Sequence, residues 1–314
     1  GRVSKNMHFF STCIVAVGTL ISAFWILSAN SWMHTPAGFI IKDDGILHPT
    51  NWVEVIFNSS FPYRYFHMIF AAYLTTAFVV GGVAALYLLR NKDVIHAKTM
   101  LLMSVLMTSF VAPLQPVIGD FHGLNTLKHQ PAKVSAMEGI WETEKGAGLR
   151  LFAIPNQIEQ KNDFEIVIPY LASLILTHSL DGEVKGLKEW KANEIPPVKP
   201  VFFSFRVMVG IGMLMIFTAL LSAIQYFRGI LFSSKWLLRL WVLMIPSGFI
   251  ALLAGWYVTE IGRQPYVVYG VLKTIDVAST GVAGAQVLWS LLSFIVVYSF
   301  VFGFGIYYLS NLVK

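Results

Sequence analysis

The chain has 314 residues, of which 56% are hydrophobic and only 13% charged, with a formal net charge of +6 and a mean hydropathy of +0.64. Water-soluble domains carry about 25% charged residues, so this composition excludes an ordinary soluble fold. The surplus of Lys and Arg fits loops flanking membrane spans and gives no reason to invoke a nucleic-acid partner.

A spanning helix needs about 20 mostly apolar residues, and six stretches qualify: about 9–29, 66–89, 99–119, 202–226, 236–259 and 286–310. The single cysteine, Cys13, lies inside the first, which excludes a disulfide framework and a CxxC metal site. Gly81 and Gly82 in the second permit close helix packing. Pro113 and Pro116 in the third and Pro246 in the fifth predict kinks, because proline removes a helical hydrogen bond. Short basic segments precede the first stretch (Arg2, Lys5), join the second to the third (Arg90, Lys92, Lys98) and join the fourth to the fifth (Arg228, Lys235). The segment between the first two stretches sets Asp43, Asp44 and Glu54 against Lys42 and Arg64. Basic loops face the cytoplasm, so both ends of the chain are expected there and the other three connections outside.

The expected fold class is therefore all-α, a polytopic transmembrane bundle with spans in 1–120 and 201–314 and a long outer loop over 121–200. That loop is too rich in aromatic and aliphatic residues for disorder. Its stretch 164–176, FEIVIPYLASLIL, is too short to span and predicts a helix lying on the membrane surface. The chain opens GRVSKNMH, with neither a signal peptide nor an initiator methionine, so a missing N-terminal portion is expected.

Ionisable residues inside spans are costly and mark candidate sites. Arg239, about one turn into its stretch, can snorkel to the interface. His67, Arg206 with Met208, and Glu260 with Arg263 fall at stretch ends that the topology places on the same, outer side. A haem iron can be held by His plus Met, while a lone His at a helix end also reads as an interfacial polar residue. His34, His48, His122, His129 and His178 read as loop or surface positions. No HxxxH or HxxH pair supports a zinc or copper site.

The tract 255–274, GWYVTEIGRQPYVVYGVLKT, resembles the GRQPW signature of subunit I of the cytochrome bd quinol oxidases. SAFWILSANSWM (22–33), FHMIFAAYLTTAF (66–78), QPAKVSAMEGIWET (130–143) and FSFRVMVG (203–210) resemble other tracts of that family, in its order. The resemblance implies a redox enzyme of the bacterial cytoplasmic membrane that takes electrons from quinol and reduces dioxygen, with a second integral-membrane subunit as partner. It implies three haems: a low-spin haem b held by His67 and Met208, a high-spin haem b held by Glu260, and a haem d. Trp256 corresponds to a tryptophan between the haems. Arg206 and Arg263 would stabilise propionates or the reduced haems, and Gln264 and Pro265 complete the signature. Lys133 and Glu138 correspond to the quinol-site lysine and glutamate, where a carboxylate can take a proton as a general base. Ser22 and Asn30 correspond to polar positions of a proton route.

Three departures matter. The family has further helices before the position of Gly1, carrying the ligand of the oxygen-reducing haem. Tyr266 stands where the signature has Trp, which keeps an aromatic face and adds a hydroxyl. The quinol loop is short, as in the cyanide-insensitive branch. Two other readings of the intramembrane His, Arg and Glu remain: a b-type cytochrome serving another acceptor, and a transporter, against which the lack of an internal repeat counts.

Overall fold

The structure, a computed structural model, describes residues 3–43, 45–277 and 281–313. Arg2 and Asp44, used above for orientation, lie outside the described residues. Six helical segments are long and apolar enough to cross a membrane, and the chain forms two compact units, Gly1–Lys273 and Thr274–Lys314.

In the first unit, α1 (Lys5–His34) starts where Ser4 Oγ accepts the Met7 N–H at 3.3 Å, the usual service of an N-cap hydroxyl. A short hairpin, β1 (Phe39–Ile41) and β2 (Leu47–Pro49), leads to α2 (Trp52–Ile56), capped by Asn51. Helix α3 (Phe61–Leu89) turns through Asn91 and Asp93, both at positive φ, into α4 (Val94–His129). Helix α4 runs on through Pro113 and Pro116 and ends ten residues past its predicted limit of 119.

After α4 come α5 (Pro131–Glu138), β3 (Glu144–Lys145), the hairpin of β4 (Leu149–Asn156) and β5 (Lys161–Ile168), α6 (Leu171–Thr177) and β6 (Glu183–Val184), which pairs with β3. The stretch 164–176 is thus not one surface helix. Its FEIVI half pairs with β4, as β-branched residues favour, and a turn at Pro169–Tyr170 separates it from α6. Helix α7 (Val198–Phe227) follows. The fifth span is broken into α8 (Lys235–Leu243) and α9 (Ser247–Ile261) at Pro246, which cannot donate to the preceding turn. The unit closes with β7 (Tyr266–Val268) and β8 (Leu272–Lys273).

Helices α3, α4, α7, α8 and α9 pack around a core that includes Leu74, Phe78, Leu101, Met215 and Trp241. Trp241 stacks on Phe78 with centroids 4.9 Å apart and donates its indole N–H to Ser222 Oγ at 2.9 Å. Gly81 makes this possible: a Cβ there would sit 2.4 Å from the Trp241 ring. Arg239 is exposed on α8.

The second unit contains α10 (Gly284–Val313), whose large apolar side chains are exposed along its length. Phe294, Tyr298 and Phe302 stack at four-residue spacing, centroids 6.1 and 5.8 Å apart.

Candidate functional site

Two adjoining features dominate the first unit. One is a cavity of about 550 Å³ among α3, α4, α7 and α9, with a mostly apolar wall. His67 lines it from α3. Gln115, Gly119 and His122 of α4, spaced four and three residues apart, share the face turned towards that imidazole. Gln115 Nε2 donates to the His67 carbonyl at 3.1 Å and lies 3.4 Å from His67 Nδ1. The His122 ring is 5.6 Å from the His67 ring. A Cβ at Gly119 would lie 3.4 Å from His67 Cε1. From α7, Met208 lines the same cavity, and a Cβ at Gly255 of α9 would lie 2.8 Å from its sulfur. Both glycines leave the space beside a soft or nitrogenous donor clear.

The other feature is a charged cluster where α1, α3, α5 and the end of α9 meet. Glu260 Oε1 accepts from Asn30 Nδ2 at 2.9 Å, and Oε2 pairs with Arg263 Nη2 at 2.7 Å. Arg64 donates to Asn30 Oδ1, so one amide links the carboxylate to a second guanidinium. Lys133 Nζ lies 3.2 Å from His34 Nδ1 and donates to the Thr259 carbonyl at 3.3 Å. His34 Nε2 is 3.9 Å from Glu260 Oε1. Burial holds the Lys133 amine well below the usual lysine range. Arg64 pushes it the same way, Glu260 opposes, and Arg263 lowers it further. Among the described residues the cluster sets one carboxylate against Arg64, Arg263 and Lys133.

The family profile "Cytochrome bd terminal oxidase subunit I" matches residues 1–314. The chain belongs to this family. Over 316 residues it is 36% identical to cytochrome bd ubiquinol oxidase subunit 1 of Bacillus subtilis, covering 95% of this chain and 65% of that protein. It is 30% identical to cytochrome bd-II ubiquinol oxidase subunit 1 of Escherichia coli, covering 95% and 71%. A bd oxidase structure from Geobacillus thermodenitrificans superposes with a TM-score of 0.81 at 29% identity, covering 95% of this chain and 69% of that one. The chain thus spans about two thirds of the length of these relatives. Six apolar helices and membership of the bd oxidase family make it a multi-pass membrane protein.

The structure draws most of the residues marked in the sequence into these two features. His67, Met208, Trp256, Arg206, Glu138 and Lys133 line the cavity; Asn30, Lys133, Glu260 and Arg263 build the cluster. Lys133 and Glu138, which lie on α5 in a polar segment, are nonetheless buried. Ser22 is exposed on α1, two turns from Asn30 and outside the cluster. Gln264 sits in the turn after α9, its N–H bonded to the Ile261 carbonyl at 3.1 Å, and Tyr266 contributes its ring to a pair with Tyr269, 5.2 Å between centroids.

Three histidines differ from the expected loop or surface setting. His34 is buried on the last turn of α1, because α1 runs five residues beyond its predicted end and meets α5 there. His122 and His129 belong to the extension of α4 and line the cavity. Sequence reasoning also missed Gln115 and Gln130 and treated Arg64 only as a loop charge. An amide in an apolar helix at four- and seven-residue spacing from Gly119 and His122 was the available signal.

A haem is a flat apolar macrocycle with two carboxylates. The residues present fit such a group. The wall is smooth and apolar, glycines stand beside His67 and Met208, and cationic side chains outnumber carboxylates in the adjoining cluster. Arg263 Nε and Nη1, buried, have no hydrogen-bond partner among the described residues, and an anion would satisfy them. Buried polar atoms left unpaired cost about 1–3 kcal/mol each.

Proposed function

We propose that the chain is the haem-binding, quinol-oxidising part of a cytochrome bd-type quinol:oxygen oxidoreductase in the bacterial cytoplasmic membrane, acting with a second integral-membrane subunit. The observation that carries this reading is that one cavity is lined by a His and a Met from different helices together with a buried carboxylate, Glu138. The basic connections 90–98 and 228–235 support an orientation with both ends of the chain in the cytoplasm. The segment 130–200 then lies on the outer side.

His67 and Met208 would hold a low-spin haem b and Glu260 a high-spin haem b; a haem d is the third group of the assembly. Bound there, these haems supply one-electron steps between quinol and dioxygen. Oxidation of a quinol to a quinone releases two electrons and two protons. Glu138 takes a hydroxyl proton as the general base, and the buried Lys133 donates a hydrogen bond to the oxygen on which negative charge grows. Gln115 fixes the direction of the His67 ring, and Arg263, with two buried donors unpaired among the described residues, offers donors to propionates. Trp256, beside Gly255, fills cavity wall next to Met208. Asn30, which links Glu260 to Arg64, and Ser22, exposed two turns away on α1, would be the polar positions of a proton route.

The test is a reduced-minus-oxidised visible spectrum of the full-length, detergent-extracted protein with its partner subunit. A low-spin b signal is expected and should vanish in both His67→Ala and Met208→Leu with membrane insertion intact. A normal low-spin spectrum in both variants overturns the ligand assignment, and absence of any haem signal in the unaltered protein overturns the redox reading. A b signal without a red-shifted d band indicates a cytochrome serving another acceptor.

A further inference from the structure

His34, on the last turn of α1, carries a buried donor that the proposed function leaves unused. Its main-chain carbonyl accepts from Gln130 Nε2 at 2.8 Å, and the same Nε2 lies 3.3 Å from His34 Nδ1. A carbonyl only accepts, so that atom of Gln130 is the amide nitrogen, a donor. The second neighbour of Nδ1 is Lys133 Nζ, 3.2 Å away. Facing two donors, Nδ1 must be the acceptor, and the ring proton therefore sits on Nε2. Turning the ring over would set a C–H against both donors, so its orientation is fixed as well.

Nε2 is buried and has no hydrogen-bond partner among the described residues. Glu260 Oε1 lies 3.9 Å from it. That gap is too long for a hydrogen bond, and a shift of about 1 Å would close it. The carboxylate is the partner able to move: its side chain is 30% exposed, against 3% for His34. The donors behind the ring are firmly seated. Lys133 Nζ donates to the carbonyl of Thr259, the residue before Glu260, at 3.3 Å. Its stem runs past Gly262, where a Cβ would lie 2.9 Å from Lys133 Cγ. The imidazole thus accepts on one edge from Gln130 and Lys133 and presents a proton on the other towards Glu260.

We propose that His34 is a positioning residue for Glu260, its Nε2–H held ready for Oε1 so that the carboxylate is fixed in direction when it takes a haem iron. This inference rests on the reading of Glu260 as the ligand of the high-spin haem. A carboxylate that accepts a hydrogen bond gives less charge to a metal, so the bond favours the ferrous form.

The experiment uses the complete oxidase in membranes, with its partner subunit, and follows the high-spin and low-spin haem signals through redox titrations. His34→Phe keeps a ring and removes the donor. It should move the high-spin equilibrium about tenfold towards the ferric form, the scale of losing an outer partner of a metal ligand, or about 59 mV for one electron. The low-spin potential should not change. His34→Asn, whose amide reaches only the Nδ1 position, should shift as far as His34→Phe. His34→Gln carries an amide nitrogen to the Nε2 position and should restore the wild-type potential. Gln130→Leu frees the ring and should shift in the same direction by a smaller factor, adding nothing to His34→Phe. Wild-type high-spin potentials in His34→Phe and His34→Asn overturn the proposal, as does an equal shift of both haems or a His34→Gln shift as large as that of His34→Phe. If His34→Phe fails to assemble, His34→Asn and Gln130→Leu decide, and wild-type potentials in both overturn it. An undiminished high-spin signal in Glu260→Gln removes the ligand reading itself, whereas loss of that signal with wild-type potentials in the His34 variants removes only the positioning role.

Discussion

The cavity around His67 and Met208 and the cluster around Glu260 adjoin each other, yet they are built on opposite plans. The cavity has a mostly apolar wall, and the polar groups nearest His67 are the Gln115 amide and the His122 imidazole, although Lys133, Glu138 and Arg206 also line it. The cluster is dense, cationic and cross-bonded, with a single asparagine joining Glu260 to Arg64. The cavity has room for a flat ring, while the cluster is organised to hold charge. The difference teaches that a shape and a charge surplus can be supplied by separate parts of the same helices: α3 contributes Arg64 to one and His67 to the other, a single turn apart.

The harshest way to break this division is to remove the carboxylate of the cluster. Glu260→Gln leaves Arg64, Arg263 and Lys133 without a counter-charge, and breaking a buried pair costs about 3–5 kcal/mol. The lower end applies because the Glu260 side chain is 30% exposed. The expected outcome is a much reduced yield of extracted protein and a lower thermal midpoint; an unchanged midpoint would show that the cluster is not held by that carboxylate.

A more selective cut goes into the cavity alone. Gly255→Leu drives a side chain into the space beside the Met208 sulfur. The low-spin signal should be lost while the signal assigned to Glu260 persists, as read in difference spectra. Equal loss of both signals would mean that the two features are not separable.

The mildest change sharpens the electrostatic half of the contrast. Lys133 has a folded-state pKa depressed by burial, so between that value and the unfolded pKa of about 10.4 the unfolded chain binds the extra proton. Stability should therefore rise with pH across that window. Lys133→Met removes the desolvated amine. At neutral pH it should gain stability, on the order of 1 kcal/mol or more, and the gain should shrink as pH approaches about 10. Thermal unfolding of the two proteins over that range is the check, and a Met variant less stable at neutral pH contradicts the sign.

The six spans were legible because hydropathy over about 20 residues is a strong, local signal. The close approach at Gly81 and Gly82 was legible too, since paired glycines in an apolar helix have few other uses. What was not legible was where helices α1 and α4 stop. Both continue through polar residues, His34 in one and Asp120 to His129 in the other, because those side chains find partners on α5 and α3 that no local pattern reveals. The same blindness hid the strand at 161–168, whose apolar run suits helix and strand equally by periodicity and is decided by pairing with β4. The ion pairs of Arg150 were invisible for a related reason: they involve two acids, one six and one fifteen residues away, that only the hairpin brings together.

The wedge of Trp241 against Gly81 has a consequence for how the molecule is put together. It closes the far half of α3 with protein atoms alone, stacked on Phe78 and tied to Ser222, whereas the near half of the same helix borders a space. A bundle locked at one end can insert and hold its shape before any prosthetic group arrives, and the group can then enter a socket whose walls are already set. Hydrogen exchange should register that order: in protein made without haem, amides of α3 around Gly81 stay protected while those around His67 exchange freely.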